Sequence, residues 1–204
     1  MRAGEKLKGT NGFEVALFPC EAMYITEARP DPEHSVYALD FLPKNTSGGD
    51  ISPMNCYAPF SGSIVYTGND HNCILESDSP VNTPSGVKYM RVLVAHSEIE
   101  PVLHTHYNQG NLFYTTGDYG VSYGEHLHME VALVDDPSEQ YWNTGGVGLY
   151  KGIHMWEGLY VNNTVMLRPL SYNWITYGGG ISGYGKRKFP WVLYSRKLRE
   201  RHYT

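Results

Sequence analysis

The stretch Gly124-Glu125-His126-Leu127-His128-Met129-Glu130-Val131, GEHLHMEV, places two imidazoles two residues apart inside an apolar run. Read as a β-strand, successive side chains alternate faces. His126, His128 and Glu130 then share one face, and Leu127, Met129 and Val131 share the other. The second set is suited to a core. The first is either a solvated strand face or a place where chemistry is done, and the rest of the chain decides between them.

Working outward, the flanking sequence is also β-like. Upstream lie "SVYALDF" with Asp40, "SIVYT", "NCILES", "YMRVLVAHS" and a strand near Leu112 to Thr115, separated by turn formers. "YAPFSGSIVYTGND" reads as a hairpin arm, with Pro59 at its start, a tight turn near Ser61-Gly62 and a strand from Ser63 to Thr67. "DSPVNTPSG" and "TGDYGVSYG" read as loops, and Asn108-Gln109-Gly110 as a turn. No amphipathic helix of more than about three turns is apparent. The 17 tyrosines and 22 glycines among 204 residues agree with a β-rich, turn-rich chain. The fold class expected is mainly β.

Composition removes several function classes. The formal charge of −5 offers no bulk attraction to nucleic acid. No run approaches the roughly 18 apolar residues of a membrane span, and "MRAGEKLKGTNGFEVALF" lacks the sustained apolar centre of a secretory signal. Cys20, Cys56 and Cys73 are odd in number and form no CxxC, so buried thiols are expected rather than a disulfide framework, with a Cys56–Cys73 bridge as the one alternative. There is no P-loop and no HExxH. Past Ser171 the chain turns aromatic and basic, with Lys186, Arg187, Lys188, Arg196, Lys197, Arg199 and Arg201 opposed by Glu200. Residues 1–170 are therefore taken as one domain and 171–204 as a basic, aromatic C-terminal extension, either a surface for anionic polymers or a solvated terminus.

A catalytic zinc takes three protein ligands from His, Asp or Glu and keeps a position for water. A strand-built site must gather those ligands from several blocks. The ordered blocks "HSVYALDF", "YAPFSGSIVYTG", "VLVAHS" and "QGNLFYTTGDYGVSYGEHLHMEV" resemble the lysostaphin-type, LytM-like zinc metalloendopeptidases, which cut peptide bonds in bacterial peptidoglycan. The similarity runs roughly from Phe18 to Val134.

The resemblance implies an antiparallel sheet with an open groove and long loops around it, and one zinc ion held by His34, Asp40 and His128. It implies that His96 and His126 flank the attacking water and handle its proton, and that the cut is made in a stem peptide or cross-bridge, at a small residue such as glycine. Glu130 is either an orienting partner for an imidazole or an ordinary strand carboxylate. The family's common His-x-x-x-Asp spacing would put the first ligand at Val36, which cannot bind zinc. His34 stands six residues before Asp40, so its loop must bulge. His104 and His106 form a second HxH, expected on an exposed loop. His71, His154 and His202 are expected at the surface, with Tyr37 and Tyr123 as candidates for oxyanion contacts.

The short build without a signal suggests a phage lysin or a virion-borne tail part acting on the cell wall, with phage tail proteins as further partners. Two other readings share the sequence: a non-catalytic relative that binds peptidoglycan or activates another hydrolase, and a structural phage tail component.

Overall fold

The computed structural model describes residues 1–27, 35–122, 124–145, 148–160 and 163–166. His34, Tyr123, His202 and the whole 171–204 extension lie outside them. In chain order the strands are β1 (Ala22–Met23), β2 (Ile25–Glu27), β3 (Leu39–Phe41), β4 (Asn55–Tyr57), β5 (Gly62–Thr67), β6 (Cys73–Ser77), β7 (Val81–Thr83), β8 (Gly86–Ala95), β9 (His106–Tyr107), β10 (Leu112–Thr115), β11 (Leu127–Val134) and β12 (Gly152–Ile153). A single-turn helix, α1 (Met155–Gly158), and a last short strand, β13 (Val165–Met166), follow.

Among the described residues the main sheet has nine strands. Its path runs β2-β3-β11-β8-β6-β5-β9, with β12 on β11 and β7 on β8. Every pairing in it is antiparallel. The centre is β11 against β8, in unbroken register from His128↔Ala95 to Val134↔Tyr89. The mainly β, antiparallel expectation holds.

Period-two alternation along β11 and β8 explains where the core sits. Leu127, Met129 and Val131 on β11, with Met90, Val92 and Val94 on β8, enter the principal apolar cluster with Phe18, Phe41, Phe60 and Leu75. Full burial of each such side chain contributes about 1.5–3 kcal/mol. The opposite face is covered more thinly, by Ile74, Leu93, Ala132 and Leu149. It also buries Arg91, whose guanidinium is 2.6 Å from Glu76 and donates to the carbonyls of Pro137, Glu139 and Gln140. A buried cation needs such saturation to be tolerated. His128 and Glu130 lie on this second face.

Two local expectations are corrected. Ser61-Gly62 does not close a hairpin: β4 pairs with β10, while β5 pairs with β6 and β9. Gly62 instead lies so close to the Glu76 and Ser77 backbone that no side chain fits there. "DSPVNTPSG" is not all loop, because it contains β7, which folds back on β8 with Thr83 opposite Gly86. The three cysteines are buried thiols, and the near neighbour of Cys56 is Cys20, 3.1 Å away, rather than Cys73. No helix among the described residues is long and apolar enough to cross a membrane.

Candidate metal centre

Asp40 and His128 are direct cross-strand partners on β3 and β11. Directly paired residues bring their Cβ atoms within about 4.5–5.5 Å, and here Nδ1 of His128 lies 3.2 Å from Oδ1 of Asp40. The other neighbour of His128, on β8, is Ala95, so a small side chain leaves room beside the imidazole.

Behind it, Nε2 of His128 faces Oε1 of Glu130 at 3.7 Å. The Glu130 carboxylate is 3% exposed and accepts the Leu149 amide at 3.0 Å. Of the two readings of Glu130, the orienting partner fits.

His126 immediately precedes β11 and forms an isolated bridge with Gly117, so it is not part of the strand run. Its ring still reaches the site, with Nε2 3.8 Å from Oδ2 of Asp40. His96 follows the end of β8. The His96 and His126 ring centroids are 4.7 Å apart, and those of His96 and His128 6.2 Å. Asp40, His96, His126 and His128 thus converge from three separate blocks of sequence.

Hydrogen bonding fixes the protons on the two flanking rings. Nδ1 of His96 is 2.9 Å from the carbonyl oxygen of Tyr119, and Nδ1 of His126 is 2.7 Å from that of Gly124. A carbonyl only accepts, so each Nδ1 carries hydrogen, and in the neutral ring Nε2 is the basic atom. Burial lowers the His96 pKa, and the neighbouring His126 and His128 lower it further, against the Tyr119 hydrogen bond and Asp40. The neutral form of His96 is therefore favoured. Burial also opposes charge on His128, but Asp40 and Glu130 outweigh it and push its pKa up to about 9 in the metal-free chain. Burial would raise Glu130, yet its ion pair with His128 and the Leu149 amide it accepts hold it below the usual carboxylate value.

The pair Asp40 and His128 fits a zinc ion. Bonds of about 2.0–2.1 Å at the tetrahedral angle put a nitrogen and an oxygen ligand roughly 3.3 Å apart, against the 3.2 Å between these atoms. A ligating histidine also commonly turns its second nitrogen to a carboxylate, as His128 does toward Glu130. Among the described residues no three His, Cys, Asp or Glu side chains are grouped to hold a metal ion. The third ligand expected from the sequence, His34, lies outside those residues.

The remaining histidines are placed as follows. His104 is exposed, and His106 pairs with Asp78 at 2.7 Å. His154 caps α1 and stacks on Trp156, with Tyr37 edge-on at 5.0 Å. His71 is half-buried against Tyr119 rather than simply at the surface. Sequence reading missed the Tyr119 and Gly124 carbonyls. The signal available was the turn-rich "TGDYGVSYG", whose main chain is presented to the site.

Neither a protein-family model nor a curated protein matches the chain. Solved structures do. Over 63% of this chain and 43% of the other, the fold is similar to that of a zinc-containing peptidase from Vibrio cholerae, at 15% identity and a TM-score of 0.40. Over 56% of this chain and 80% of the other, it is similar to the catalytic domain of the antimicrobial peptidase lysostaphin from Staphylococcus simulans, at 20% identity and a TM-score of 0.37. The chain spans less than half the length of the Vibrio cholerae protein. The likeness is one of fold, and the case for chemistry rests on the residues.

Proposed function

We propose that the chain is a zinc-dependent endopeptidase that hydrolyses peptide bonds in bacterial peptidoglycan. One observation carries the reading: the Asp40–His128 donor pair at ligand spacing, flanked by two histidines held with Nδ1–H bound to carbonyls. Asp40, His128 and, from the sequence, His34 would hold the ion. Zinc so held lowers the pKa of water and polarises the carbonyl under attack.

The chain's own residues then have distinct tasks. Nε2 of His96, or of His126, accepts the proton of the attacking water and returns it to the leaving amine nitrogen. Glu130 holds the His128 ring in one orientation.

Action at the bacterial cell wall, and an origin as a phage lysin or tail-borne component, belong to the same proposal and rest on sequence alone. Solubilisation of purified peptidoglycan, abolished by EDTA and restored by zinc, is the expected result. Hydrolysis that resists the chelator would exclude the zinc mechanism. Retention on peptidoglycan with no bond cut would favour the binding relative.

A further inference from the structure

His96 leaves β8 in a left-handed conformation, φ +67°. Such a backbone is uncommon for any residue but glycine and persists only where its surroundings hold it. The restraint comes from a turn far away in sequence. Asp70 and His71 are themselves left-handed, φ +61° and +49°. The Asp70 carbonyl accepts the His96 amide at 2.9 Å, and the His71 imidazole donates from Nδ1 to the Ser97 carbonyl at 2.8 Å. The turn therefore grips the main chain on both sides of the His96 side chain.

The same turn grips the loop that His96 hydrogen-bonds to. The His71 ring lies face to face with the Tyr119 ring, centroids 3.5 Å apart and planes 5° from parallel. Next to it, Gly120 packs so tightly on the Asp70 carboxyl that a Cβ would overlap it. Yet Tyr119 is 54% exposed and Val121 66%. A carbonyl on so exposed a loop would ordinarily exchange its partner for water. Here it is held where Nδ1 of His96 reaches it.

We propose that His71 is a positioning residue for His96. It stacks on Tyr119 and so holds the Tyr119 carbonyl that keeps hydrogen on Nδ1 of His96 and leaves Nε2 as the basic atom. The catalytic consequence rests on the endopeptidase reading above, while the tautomer itself does not.

The test uses the full chain with ¹⁵N-labelled histidine. The His96 tautomer is read by long-range ¹H–¹⁵N correlation in the metal-free protein at neutral pH, and kcat and KM are measured after zinc loading. His71→Ala and Tyr119→Ala are expected to shift His96 from the Nδ1–H form to a mixture. They should lower kcat roughly ten- to a hundredfold, in keeping with the cost of misplacing a reacting group, with KM little changed. Tyr119→Phe keeps the ring and should keep both properties. Tyr119 is exposed enough for its variants to fold even where His71→Ala does not. An unaltered Nδ1–H tautomer in both alanine variants would overturn the proposal. A parent that shows the tautomer shift in its variants but cuts no peptide bond would overturn only the endopeptidase reading.

Discussion

Nδ1 of His128 lies 3.2 Å from Oδ1 of Asp40, on neighbouring antiparallel strands whose register makes the two residues direct partners. The position of one donor therefore sets that of the other, and both are anchored by core residues one position away on the opposite face: Leu39 and Phe41 beside Asp40, Leu127 and Met129 beside His128. A site built this way is rigid before any ion arrives.

Glu130→Gln tests the orienting role. The amide keeps the size of the carboxylate but weakens its hold on His128. Loss of such an outer partner commonly costs 10–100-fold in metal affinity. A zinc competition titration should show that loss with the fold intact by circular dichroism. Unchanged affinity would return Glu130 to the status of an ordinary strand carboxylate.

His96→Asn and His126→Ala separate proton handling from metal holding. Asparagine tolerates the left-handed backbone at position 96. Each variant should retain zinc and lose about 10²–10⁴-fold in kcat, the usual contribution of a positioned acid or base. Zinc lost along with activity would mean that these rings are ligands.

Gly117 lies between the two flanking histidines. It bridges to His126, and a Cβ there would stand 2.6 Å from the His96 carbonyl oxygen and from the Glu98 amide nitrogen. These are backbone atoms that cannot swing away. Gly117→Ala should lower stability by roughly 1–3 kcal/mol, the usual range for overpacking, in urea denaturation. A neutral effect would show that the two segments are free to separate.

The metal-free protein should have a pH-dependent stability set partly by His128 and Glu130. The folded pKa of His128 is raised to about 9 from 6.5, so its contribution is fully present below about pH 6.5 and is lost as pH rises through about 9. The folded pKa of Glu130 is lowered, so its contribution is present above its ordinary value of 4.5 and is lost in acid. Denaturation midpoints in EDTA should therefore fall between pH 6.5 and 9 in the parent. The decline should flatten in His128→Gln. An equal decline in both would place the alkaline sensitivity at another group.

What the sequence disclosed followed the range of its signals. Alternation in "GEHLHMEV" separated Leu127, Met129 and Val131 from His128 and Glu130, because strand periodicity is local. The ordered blocks brought Asp40, His96, His126 and His128 to one place, and there the structure joins them. Pairing partners were less visible. Ser61-Gly62 has turn-forming residues, yet β4 finds its partner in β10, more than fifty residues on, and no local rule records that choice. β7 was hidden because prolines and serines dominate its surroundings. The stack of His71 on Tyr119 spans 48 residues and depends on two left-handed residues, so His71 read only as a surface histidine.

The most direct test is the zinc content of the folded full chain, measured beside Asp40→Ala, His128→Ala and His34→Ala. The account predicts one zinc per chain in the parent and its loss in Asp40→Ala and His128→Ala, with His34→Ala deciding the third ligand. Folded parent protein that takes up no zinc, or that keeps it when Asp40 and His128 are removed, would contradict the account.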